Sequence, residues 1–92
     1  MNLAEIQIRV YYCMVEWLRE NNEEVPTRLE DFPSLKIAEE SLDRMSILRT
    51  IEIDLQVAFP REKIWTCNTL GEIVQEVYCL TRREFYTDEI KR

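Results

Sequence analysis

The chain reads as an all-α protein, a small antiparallel bundle of three to four helices. Three observations predict this. Apolar residues recur at three- and four-residue steps in three separate stretches, the period of a helix that buries one face. The 92 residues include a single glycine and three prolines, too little turn chemistry for a many-stranded sheet. Apolar residues make up 46% of the chain. That suffices for one core in one domain over residues 1 to 92, and it argues against global disorder.

The elements follow in order. Leu3, Ile6, Val10, Met14, Trp17 and Leu18 predict an amphipathic helix over residues 2 to 21. Asn21-Asn22 stops it, and Pro26 prevents its continuation. Residues 20 to 40 form a long acidic connection with a net charge of −5, most of the −6 carried by the whole chain. Leu29, Phe32, Leu35 and Ile37 are the apolar pegs expected to fasten it to the core. Thr27 and Glu30 have the spacing of a capping box for a short turn ahead of Pro33.

The second main helix is expected from residue 41 to 56. Leu42, Met45, Ile47, Leu48, Ile51 and Leu55 form its apolar stripe, and Asp43, Arg44, Arg49, Glu52 and Asp54 occupy the remaining positions. Phe59-Pro60 ends it and opens a loop with a short helix near residues 61 to 65. Thr69-Leu70-Gly71-Glu72 is a capping box, from which Leu70, Ile73, Val74, Val77, Tyr78 and Leu80 form the last apolar face. Three outcomes are open for residues 81 to 92: they extend this helix, pack back or fray.

Composition removes several classes of function. A net charge of −6 disfavours nucleic acid, which is met by clustered Lys and Arg, and anionic membrane surfaces. It suits an acidic protein that is steered onto basic patches of protein partners. The chain has no histidine, so the commonest general base, the commonest zinc ligand and any Ser-His relay are missing. There is no glycine-rich loop and no carboxylate pair distinct from a solvated acidic surface, so no enzyme is expected and no metal site. Cys13, Cys67 and Cys79 are odd in number and form no C-x-x-C pair, which reads as buried thiols in a reducing compartment. Trp17 and Trp65 read as core or half-buried residues. Glu5, Arg9 and Glu16 interrupt the apolar N-terminal stretch, so neither a signal peptide nor membrane insertion is expected, and the location expected is cytoplasmic.

Ser41 stands at the head of the second helix and has two readings. It is a helix cap whose oxygen accepts a first-turn amide, or it is a hydroxyl exposed at the positive end of a helix, placed to carry a phosphate. Ser41-Leu42-Asp43, Ile47-Leu48, Ile51-Glu52, Asp54-Leu55, Phe59-Pro60 and Thr69-Leu70 follow one another in the order and spacing of the acyl carrier protein family. From Ile37 to Val77 the chain resembles that family. The resemblance implies a phosphopantetheine-dependent carrier with the same helical-bundle fold. A 4′-phosphopantetheine arm from coenzyme A would be attached to Ser41, and an acyl or aminoacyl group would ride on it as a thioester. The partners implied are a phosphopantetheinyl transferase and the enzymes that load and remove the acyl group, and the expected state is a monomer. Glu39, Glu40, Leu42, Asp43, Arg44, Met45, Arg49, Glu52 and Ile53 would form the docking surface. Ile47, Ile51, Phe59 and Val74 are candidates to line an acyl pocket, with ordinary core as their other reading.

The departures from the family pattern point to a specialised lipid or secondary-metabolite pathway. Glu40 replaces the usual Asp before the serine, Ala38 replaces a glycine, and Ser46 stands where a glutamate is frequent. Arg44 and Arg49 reduce the net charge of residues 41 to 57 to −1, so a partner that grips a uniformly acidic helix would meet repulsion. The alternative from another class is an unmodified acidic helical adaptor. It would bind protein partners through Ile53, Phe85 and Tyr86 and leave Ser41 bare.

Overall fold

The computed structural model describes residues 1–90 and, for side chains, residues 1–82. It is an all-α bundle with α1 (Leu3–Glu20), a short 3₁₀ helix (Leu29–Asp31), α2 (Ser41–Leu55), α3 (Arg61–Thr66) and α4 (Leu70–Ile90). Helix α1 packs against both α2 and α4, and α3 packs against α2. No helix among the described residues is long and apolar enough to cross a membrane.

Helix α1 forms where its apolar period begins and ends. Asn2 caps it, its side chain accepting the Glu5 amide at 2.9 Å. The chain leaves through Asn21 and then Asn22, whose φ of 56° is left-handed, a conformation Asn tolerates better than most residues. The buried face comprises Ile6, Val10, Cys13, Met14 and Leu18. It meets Ile47, Leu48, Ile51 and Leu55 from α2 and Leu70, Ile73, Val74 and Val77 from α4 in one hydrophobic cluster. Each large aliphatic side chain buried in this way stabilises the fold by about 1.5–3 kcal/mol.

The long connection is tied down at its second half. Phe32 stacks on Tyr11 with ring centroids 4.9 Å apart, and Ile37 is buried at 2% exposure. Leu35 is half-buried, but Leu29 stands 76% exposed and pegs nothing. Nor does Thr27 cap the short helix. Its cap position is Arg28 and carries no side-chain bond, because a guanidinium has only donors and cannot accept an amide; Arg28 pairs with Glu30. Residues 33 to 37 run beside the start of α4. The Leu70 amide donates to Leu35 O at 2.9 Å, the Gly71 amide to Pro33 O at 3.0 Å and the Ile37 amide to Asn68 O at 3.0 Å. This close passage accounts for the chain's one glycine, since a Cβ at Gly71 would lie 3.0 Å from the Pro33 carbonyl oxygen.

Helix α2 differs from expectation in which residues face inward. Leu42 and Met45 are 78% and 40% exposed, whereas Arg44 is buried at 5%. The inward set is Arg44, Ile47, Leu48, Ile51 and Leu55, spaced three or four residues apart as one helical face requires. Leu42 and Met45 lie off that line, and apolarity alone could not bring them in. The helix ends at Leu55, one residue sooner than expected, with Gln56 as its cap at φ 55° and the Val57 amide donating to Glu52 O at 3.1 Å. Helix α4 continues through the tail to Ile90, so of the three outcomes for residues 81 to 90 the structure takes extension. Phe85 and Tyr86, expected as anchors of an adaptor surface, have side chains outside the described residues, as do Lys91 and Arg92 altogether.

Candidate functional site

The site is built around the first turn of α2. Ser41 is the first helical residue, not the cap. The cap position belongs to Glu40, extended at φ −67° and ψ 132°, and its side chain bonds to no first-turn amide. Ser41 is exposed, and among the described residues its hydroxyl has no hydrogen-bond partner. The capping reading of Ser41 is therefore not what the structure contains. The end of the helix stays open, with its first-turn amides free of side-chain acceptors and Glu39, Glu40 and Leu42 exposed around it. Asp43 is half-buried in the same turn.

Two tethers hold this open turn, and both end on Asn68. Upstream of Ser41, the Ile37 amide donates to the Asn68 main-chain oxygen at 3.0 Å. Downstream, Arg44 Nη2 donates to Asn68 Oδ1 at 3.1 Å. The other guanidinium nitrogen, Nη1, donates to Cys67 O at 2.6 Å and to Ile64 O at 3.0 Å. Arg44 thus satisfies the C-terminal carbonyls of α3, which a helix leaves unpaired, and the positive charge suits that end of the dipole. Expected among the partner-facing residues, Arg44 is instead an internal staple. The sequence did carry the signal: Arg44 falls three and four residues ahead of Ile47 and Leu48, on the buried stripe.

The rest of the expected docking surface divides. Leu42, Met45, Arg49 and Ile53 are exposed on the side of α2 away from the core, with Ile53 at 69% exposure. Glu52 is half-buried and turned to a local task, its Oε2 accepting the Phe59 amide at 2.7 Å to close the turn after α2. Ile47, Ile51, Phe59 and Val74, the candidates for an acyl pocket, are all part of the hydrophobic cluster, none more than 7% exposed.

Two thiols are buried and one is not, against the expectation of three buried cysteines. Burial, reinforced by Asp54 and Glu16, pushes the Cys13 thiol up to about 11. Burial also raises Cys67, with Glu76 and Glu72 adding to the effect and Lys63 and Arg44 opposing it. Both thiols are held in the unreactive protonated form. Cys79 is exposed. Trp17 is half-buried as expected, but Trp65 is 53% exposed on α3. No three His, Cys, Asp or Glu side chains among the described residues come together as a metal site. Neither Glu76 nor the groove beside it was anticipated, since a lone glutamate on a helix reads as solvated surface.

Comparison of the chain with protein-family models, with curated proteins and with solved structures gave no match.

Proposed function

We propose that this chain is a carrier protein of the acyl carrier type, a specialised member that acts in the cytoplasm. In this reading Ser41 takes a 4′-phosphopantetheine arm, and the chain itself catalyses nothing. The observation that carries the reading is the state of Ser41, an exposed hydroxyl at the first position of α2 that caps nothing. A serine doing structural work would be bonded. This one is free, on a turn held from both sides through Asn68. The landmarks shared with the family, from Ser41-Leu42-Asp43 to Thr69-Leu70, are the second support.

The residues fit a phosphodiester. Attack of the Ser41 oxygen on the pyrophosphate of coenzyme A forms the new P–O bond and expels the adenine nucleotide, with the serine proton passing to a base on the transferase. The free amides of the first turn and the helix dipole favour the resulting anion. Glu39, Glu40 and Asp43 oppose it locally and steer basic partners toward the site. When bound, the arm supplies a terminal thiol that holds an acyl or aminoacyl group as a thioester. Leu42, Met45, Arg49 and Ile53 give loading and transferring enzymes a mixed apolar and cationic face, unlike the acidic face frequent in the family.

The exposure of Leu42 and Ile53, 78% and 69%, favours one second reading, an adaptor that docks through the same face with Ser41 unmodified. Intact mass spectrometry separates the two. Wild type and Ser41→Ala are incubated with coenzyme A, Mg²⁺ and a broad-specificity phosphopantetheinyl transferase. The carrier reading expects one phosphopantetheinyl group on wild type and none on the variant. A wild-type mass that stays unchanged, with a transferase from the native host as well, sinks it in favour of the adaptor.

A further inference from the structure

An open groove of about 580 Å³ runs between α3 and α4, with Lys63, Cys67, Glu72, Gln75, Glu76 and Cys79 in its walls. Its unusual member is Glu76, whose side chain is 7% exposed. Its Oε2 has no hydrogen-bond partner among the described residues. The nearest cation, Lys63 Nζ, lies 3.8 Å from Oε1 on a side chain 42% exposed, beyond hydrogen-bond reach. Arg44 also reaches Cys67 in the groove wall, but its guanidinium is already committed to Ile64, Cys67 and Asn68.

A buried carboxylate in this condition is costly, because burial removes the water that solvates it and the Lys63 ion pair on Oε1 leaves Oε2 without a replacement. Among the described residues the groove's charged side chains are Lys63, Glu72 and Glu76, which leaves these walls one positive charge short of neutral. The terminal torsion of a glutamate is broad, so Oε2 can turn toward the groove with little strain. A donor that enters there meets two acidic side chains and the Gln75 amide oxygen, while Cys67 and Cys79 offer apolar surface beside them. Compact, strongly charged donors fit this arrangement better than a flat fork, which needs both carboxylate oxygens presented together.

We propose that the groove between α3 and α4 binds a primary ammonium group on a short alkyl chain, with Glu76 as its counter-ion. This site is independent of what happens at Ser41.

The test is an NMR titration of ¹⁵N-labelled protein with n-butylammonium chloride, alongside n-butanol and sodium chloride at matched concentrations. Wild type should show saturable amide shifts confined to residues 63 to 79, with neither control reproducing them. Glu76→Gln should weaken binding at least about tenfold, the scale of a lost hydrogen bond to a charged group. Shifts that grow linearly without saturating, that butanol matches, or that persist in Glu76→Gln overturn the proposal. So does binding seen only in Lys63→Met, which would make Lys63 itself the ammonium this carboxylate serves. The contrast between ammonium and butanol on wild type decides the matter even if Glu76→Gln fails to fold.

Discussion

Arg44 donates more side-chain hydrogen bonds than any other residue described. Its three donated bonds, at 2.6, 3.0 and 3.1 Å, join the first turn of α2 to the end of α3 and to Asn68. Truncation to alanine leaves three acceptors without their donor, at least one of them buried. Arg44→Ala should therefore lose about 2–4 kcal/mol of unfolding free energy in urea denaturation. Arg44→Lys should recover only part of this, since an ammonium does not reproduce the guanidinium fork. Amide exchange in the Arg44→Ala protein should also quicken around Ser41, because one of the two tethers on Asn68 is gone. A loss no larger than that of an ordinary surface substitution, about 0.5 kcal/mol, would show that the staple is not needed.

At the scale of elements, the two helix starts that look alike in sequence behave differently. Thr69 works as a cap: its hydroxyl oxygen accepts the Glu72 amide at 3.3 Å, and the hydroxyl donates to Glu72 Oε1 at 3.1 Å. The glutamate thus answers the threonine side chain, where a full capping box would return to the backbone amide. Ser41 has no such partner. Thermal or urea unfolding should show Thr69→Ala costing about 1 kcal/mol, and Ser41→Ala within about 0.5 kcal/mol of wild type. A Ser41→Ala loss equal to that of Thr69→Ala would restore the capping role. The other end of α2 holds Gln56 in the left-handed region at φ 55°, where a side chain is unfavourable. Gln56→Gly should stabilise the protein by about 1 kcal/mol, read as a shift of the urea midpoint with an unchanged slope.

Across the whole molecule, the buried thiols tie stability to alkaline pH. Cys13 rises from the ordinary 9.0 to about 11 on folding, and Cys67 and Tyr11 also move upward. A raised value means that the folded state keeps its proton longer than the unfolded chain. The contribution is complete below pH 9 and is lost as the pH climbs toward about 11. Melting temperature should fall across that window, and the fall should be shallower in Cys13→Ala, whatever that variant's absolute stability. Equal slopes in the two proteins would remove Cys13 as the cause.

The sequence by itself determined the helical class, both ends of α1 and α2 and the start of α4 to within a residue or two, and most of the core, while the far end of α4 stayed open. A period of three to four residues is a local property that packing merely used. It also pointed to Ser41 as the residue to watch. Tertiary structure decided the rest, and Arg44, Leu42 and Glu76 show why. Ile47, Leu48, Ile51 and Leu55 set the side of α2 that turns inward, and the carbonyls at the end of α3 make a charged Arg44 acceptable on that side. Leu42 was left outside because its direction on the helix, not its apolarity, governs burial. Glu76 was buried with Lys63 of α3 3.8 Å away, a neighbour from another segment that no spacing within either one could announce. The same holds for the Asn68 clamp on both sides of Ser41: the residues it joins are distant along the chain, and only the packed bundle brings them together.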